Sequence, residues 1–114
     1  MNMEKQKKVT VAGAGSWGTA LAMVLADNGH DVRIWGNKEE QIDEINERHT
    51  NSFYLPEIKL PESIRSYMSL DDSLEGVDTV ILAVPTKAIR EVVKQLNAAA
   101  KQPITVVHVS KGIE

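Results

Sequence analysis

The chain has 114 residues, room for one hydrophobic core but not two. Its 42% apolar and 25% charged residues are the balance of a globular domain, and a formal net charge of −3 gives no electrostatic case for nucleic acid or an anionic membrane surface. The absence of cysteine excludes disulfides and thiolate metal sites.

Residues 1–8 are polar and basic, and the apolar run behind them stops at a glycine after four residues, so no signal peptide is expected. Nothing approaches the roughly 20 apolar residues of a membrane span, and the cytoplasm is the expected compartment. Val9-Thr10-Val11-Ala12 predicts a short buried strand rich in β-branched residues. Behind the glycines, Leu21, Val24 and Leu25 repeat at helical spacing among alanines, and Asn28-Gly29 supplies a stop. Asp31 to Trp35 alternates as a second strand, and Glu39 to Arg48, with Ile42 and Ile45, predicts a surface helix. From His49 to Ser63 periodicity fails and Pro56 and Pro61 intervene, which predicts a loop.

Ile64 to Leu70 is expected as a short edge strand, followed by a helical turn over Ser73 to Gly76 capped by Asp71 or Asp72. Val77 to Val84 is nearly continuous in apolar residues, as in a parallel strand covered on both faces, and Pro85 ends it. Thr86 is placed to cap a helix carrying Ile89, Val92, Val93 and Leu96, and Ile104 to Val109 predicts a last, buried strand. The alternation predicts an α/β fold: a doubly wound, mostly parallel sheet of the Rossmann type, forming one dinucleotide-binding domain over residues 1–114. The chain stops directly after a strand-like run, a pattern expected of a longer protein that has been cut.

In such a sheet the loop between the first strand and first helix lies where ligands bind. Gly13 permits the tight turn, Gly15 lets phosphate oxygens approach the backbone, and Gly18 lets helix and strand pack closely. The free N–H groups and dipole of the helix start attract anionic oxygens. A structural turn alone would also account for the glycines, but a strand before them, a helix after them and a βαβ unit around them favour dinucleotide binding. Ser16 either caps the helix or donates to a phosphate. Trp17 either lids the local core or walls the cofactor.

NAD sites carry an acid about 20 residues beyond the glycines. Here that seat falls at Gly36 or Asn37, and Lys38 follows, which favours the 2′-phosphate of NADP with NAD as the alternative. Glu39 and Glu40 are read as N-terminal acids of the next helix. Val84-Pro85-Thr86 and Ser110-Lys111-Gly112 end two strands at the predicted ligand edge. Pro85 either terminates its strand or shapes the crevice wall, and Lys111 is either a solvated lysine or a point charge for a phosphate.

GAGSWGTALA, DNGHDVRIWGN, NSFYLPEIKLP, VPTKAIREV and HVSKGIE, in this order and spacing, resemble the bacterial NAD(P)-dependent glycerol-3-phosphate dehydrogenases from Lys7 to Glu114. The resemblance implies reversible reduction of dihydroxyacetone phosphate to sn-glycerol 3-phosphate in glycerophospholipid synthesis. It implies cofactor contacts at Ser16, Trp17, Asn37 and Lys38, contacts to both cofactor and phosphorylated substrate at Lys111, and a flap that sets Tyr54 near the cofactor, where Phe53, Tyr54 and Leu55 otherwise read as a satellite core beneath a loop. Residue 37 is commonly His or Arg in that family, so Asn37 leaves Lys38 as the better partner for a 2′-phosphate. The resemblance also implies a helical C-terminal domain holding the catalytic lysine, so no catalytic residue is expected in this chain, which alone should bind cofactor without turnover. A homodimer is an option for the full-length protein. The competing readings are another two-domain reductase of 6-phosphogluconate or ketopantoate type, or a non-catalytic dinucleotide sensor. His30, His49 and His108 show no metal-site spacing and are expected to be structural, His108 within its buried strand.

Overall fold

The structure, a computed structural model, describes residues 6–109. Five parallel strands form one sheet: β1 (Lys8–Ala12), β2 (Asp31–Trp35), β3 (Arg65–Tyr67), β4 (Thr79–Leu82) and β5 (Thr105–His108). Their spatial order is β3-β2-β1-β4-β5, so the direction of winding reverses between β1 and β4. Both neighbours pair with β1 in register, Val11 opposite Ile34 on one side and Ile81 on the other.

The crossovers carry α1 (Ser16–Asp27), α2 (Glu39–Arg48), α3 (Leu70–Ser73) and α4 (Ile89–Ala99). Two cores follow from the pleat, because alternate residues of a strand serve opposite faces. Val11, Val32 and Ile34 pack beneath α1 and α2 with Ala22, Ile45, Leu60 and Ile64. Ala12, Val80 and Leu82 face the other way, against Leu74, Val92 and Leu96. Thr10 lies on that second face, where its hydroxyl donates to the Ser73 carbonyl at 2.5 Å.

The predicted β2 and α2 match the observed limits, and Asn28 caps α1 with Gly29 behind it at φ 92°. Four local expectations are corrected. The α3 turn begins at Leu70, three residues earlier than expected, because the Ser69 hydroxyl, not Asp71 or Asp72, accepts the cap hydrogen bond from the Asp72 N–H. Both acids instead sit in its first turn, where the helix dipole favours negative charge. Thr86 caps nothing: it opens a 3₁₀ turn, Thr86–Ala88, that leads into α4.

The strand expected over Val77 to Val84 contracts to Thr79–Leu82, with Thr79 and Ile81 only half-buried. Its α1-side face is not fully covered. Finally, every residue of β5 is exposed, His108 included: β5 is the sheet's edge, and neither face is fully covered among the described residues. Apolar patterning records what a strand is suited to meet, and here the described residues cover Val106 and Val107 only in part.

Candidate functional site

The reversal between β1 and β4 opens a crevice at the carboxyl ends of the strands, the place where open α/β sheets bind ligands. The glycine loop floors it. Gly13 has φ 132°, a backbone region closed to other residues, and a Cβ there would drive into the Ala83 carbonyl. Gly18, one turn into α1, lies so close that a Cβ would strike the Gly13 carbonyl. These two glycines are demanded by the fold itself.

Gly15 differs. It has an ordinary φ of −77° and stands at the N-cap of α1. A Cβ on it would meet only the Tyr54 ring, at 4.0 Å. Nothing in the packing requires glycine at this position.

The first intrahelical bond runs from the Thr19 N–H to the Gly15 carbonyl at 2.9 Å. The N–H groups of Ser16, Trp17 and Gly18 therefore precede the helix's own ladder, and no acidic residue stands in the first turn. Ser16 is exposed and makes no capping bond, so of its two readings the cap is excluded. Trp17 is half-buried; its indole N–H is shielded and finds no partner among the described residues.

Two recesses meet at Gly15 and the Ala83–Pro85 segment. The larger, about 590 Å³, runs from Gly13 and Gly15 past Asn37 and Lys38 at the end of β2 to Tyr54 and to Glu91 and Gln95 of α4. The smaller, about 160 Å³, lies between Ser16, Trp17 and Gly18 on one side and Pro85, Thr86 and His108 on the other. Nine of the ten residues singled out from the sequence border one recess or both. The tenth, Lys111, lies outside the described residues.

Asn37 and Lys38 are exposed, and Lys38 is the N-cap residue of α2. Glu39 and Glu40 occupy the first helical turn, as expected of N-terminal acids. Arg33 points away, donating to the Glu75 carbonyl on the α3 side of the sheet. Tyr54 reaches the glycine loop from the 49–60 segment, with Phe53 edge-on to its ring at 4.9 Å and 82% exposed.

Several residues that the fold brings here carry little or no mark of it in the sequence. His108 borders the smaller recess, an outcome hidden by its apolar neighbours in β5. Glu91 and Gln95, one turn apart on α4, line the larger recess because α4 flanks the crevice. Asn51, 1% exposed, sits in a segment that shows no periodicity. Its signal was weak, a lone amide in a loop.

A family model described as NAD-dependent glycerol-3-phosphate dehydrogenase N-terminus matches residues 8–114. A glycerol-3-phosphate dehydrogenase [NAD(P)+] of Bacillus cereus is 63% identical over 107 residues, which are 94% of this chain and 32% of that protein. Its counterpart in Listeria monocytogenes is 58% identical over 109 residues, 96% of this chain and 32% of that protein. Among solved structures, a glycerol-3-phosphate dehydrogenase from Coxiella burnetii superposes with a TM-score of 0.85 at 36% identity, over 94% of this chain and 33% of that one. The chain thus spans about a third of the length of the curated relatives it matches.

Proposed function

The chain belongs to the N-terminal family of NAD-dependent glycerol-3-phosphate dehydrogenases, and from that premise we propose that it is the cofactor-binding part of an enzyme that reversibly reduces dihydroxyacetone phosphate to sn-glycerol 3-phosphate. The observation that carries this reading is the open floor at Gly15. A glycine that packing does not require, set before N–H groups at a helix start that have no partner among the described residues, fits a ligand whose phosphates must touch the backbone. The pyrophosphate of NADP(H) or NAD(H) is that ligand, and it brings a nicotinamide that exchanges hydride with the substrate carbonyl carbon.

Each recess has a part in this reading. The larger takes the adenosine half, with Lys38 as the cation for a 2′-phosphate and Asn37 beside it at the end of β2. The absence of an acid at residues 36 and 37 favours NADPH, since a carboxylate there would repel the phosphate. The smaller takes the nicotinamide end, where Trp17 and Pro85 exclude water and Ser16 presents its hydroxyl from the helix start. Lys111 contacts both the cofactor and the phosphorylated substrate, and the catalytic lysine and most substrate contacts come from a helical domain beyond these residues. Catalysis in the cytoplasm and use of the product in glycerophospholipid synthesis complete the proposal.

The test is NADPH oxidation by the full-length protein, with dihydroxyacetone phosphate, glyceraldehyde 3-phosphate and ketopantoate compared side by side. Turnover is expected on the first. Activity on either of the others with none on dihydroxyacetone phosphate would overturn the assignment, and tighter binding of NADH than NADPH would remove the role given to Lys38.

A further inference from the structure

The peptide between Ala14 and Gly15 is gripped from behind. Three side chains from three different segments donate to the single carbonyl of Ala14: Gln41 Nε2 of α2 at 2.9 Å, Asn51 Nδ2 of the 49–60 segment at 3.0 Å, and Thr19 Oγ1 of α1 at 3.3 Å. The donors also bind one another. Asn51 Nδ2 donates to Thr19 Oγ1 at 2.9 Å, and Gln41 Nε2 donates to Asn51 Oδ1 at 3.2 Å. Thr19 and Asn51 are 0% and 1% exposed, so these bonds have no competition from bulk water.

A planar trans peptide points its C=O and N–H in opposite directions. Fixing the Ala14 carbonyl on the side of α1, α2 and the loop therefore turns the Gly15 N–H the other way. Gly15 borders both recesses, and no hydrogen bond among the described residues uses its N–H. Glycine imposes little restraint of its own on this plane, because it tolerates a wide range of φ and ψ. The restraint has to come from elsewhere.

We infer that Gln41, Asn51 and Thr19 are positioning residues that hold the Ala14–Gly15 peptide with its N–H toward the crevice, preorganising the phosphate cradle before the cofactor arrives. The inference rests on the cofactor reading above. It also gives the 49–60 segment a task, for the main-chain carbonyl of Asn51 accepts from the N–H groups of Tyr54 at 3.1 Å and Leu55 at 2.8 Å. The same residue thus sets the peptide behind Gly15 and the turn that places the Tyr54 ring in front of it. A donor fixed in advance costs no ordering at the moment of binding.

The test compares Gln41→Met, Thr19→Val and Thr19→Ser with the parent in the full chain. Titrations use NADPH and, separately, adenosine 2′-phosphate, which has no pyrophosphate. Gln41→Met and Thr19→Val each remove a donor and are expected to weaken NADPH binding about fivefold, while adenosine 2′-phosphate changes by less than about twofold. Thr19→Ser, which keeps the hydroxyl, restores parental NADPH affinity. The two donor-removing changes lie on different helices, and Gln41 is only half-buried, so loss of folding in one leaves the other to decide. Unchanged NADPH affinity in a folded variant, or equal losses for both ligands, would overturn the positioning role. A parent chain that binds neither ligand would instead overturn the cofactor reading, and this inference with it.

Discussion

Gly13 and Gly15 stand two residues apart in one loop and answer to different constraints. Gly13 is held by a positive φ and by the Ala83 carbonyl, both properties of the folded chain. Gly15 is held by neither. Gly13→Ala is therefore expected to destabilise the protein by about 2 kcal/mol or more, through strain and a steric clash that β1 and the segment after β4 cannot both relieve. Gly15→Ala should leave the melting temperature nearly unchanged and still weaken NADPH binding about tenfold, because its methyl group would occupy the space the phosphates need. Thermal denaturation beside a binding titration separates the two effects. Loss of stability in both variants would show that Gly15 too is a packing residue.

At the scale of elements, the segment after α2 is irregular in sequence but well tied. Glu44 Oε2 accepts from the Thr50 hydroxyl at 2.6 Å and from the Ser52 N–H at 2.9 Å, on either side of Asn51. The Thr50 hydrogen bond is the main reason the Glu44 carboxyl lies below the usual glutamate range, with smaller help from Ser52 and Arg48 against a modest desolvation. A carboxyl with a lowered folded-state pKa contributes stability that is present above its unfolded value and is lost as pH falls through the folded one. Glu44→Gln should then be less stable than the parent at pH 7, by under about 1 kcal/mol given the site's solvent access. The difference should vanish as pH drops below the carboxylate range. Urea titrations at pH 7 and pH 3 measure it, and a gap that persisted in acid would place the effect outside Glu44 ionisation.

At the scale of the molecule, the two edges of the sheet differ among the described residues. β3 is a three-residue edge strand with Ser66 buried, whereas β5, the opposite edge, presents Val106 at 43% and Val107 at 41% exposure. The crevice is likewise walled by the glycine loop, the end of β4 and α4, with no catalytic acid or base assigned among these residues. The 114-residue chain by itself is accordingly expected to bind NADPH but to show no oxidation of it with dihydroxyacetone phosphate, in a spectrophotometric assay where the full-length protein turns over. Measurable turnover by the short chain would relocate the catalytic groups into it.

Most of the fold was legible in the residues because local rules and global packing agree. The limits of β2 and α2 follow from alternation at Asp31–Trp35 and from Ile42 and Ile45 at helical spacing, and the glycine loop announces the crevice through its place between a strand and a helix. The cap of α3 was misplaced at Asp71 or Asp72 because an acid near a helix start suits either the cap or the first turn, and only the structure shows that Ser69 takes the cap and both acids the turn. The exposure of His108 and the convergence of Gln41, Asn51 and Thr19 on the Ala14 carbonyl were beyond the sequence for a different reason. Strand order sets Val9 beside Thr79, and the bonds on the Ala14 carbonyl join residues up to 37 positions apart; no periodicity encodes either. The sequence alone determined which elements form and that a phosphate-sized turn opens α1; only the tertiary structure decided that Gly15 is the glycine packing does not require, and which side chains brace the peptide behind it.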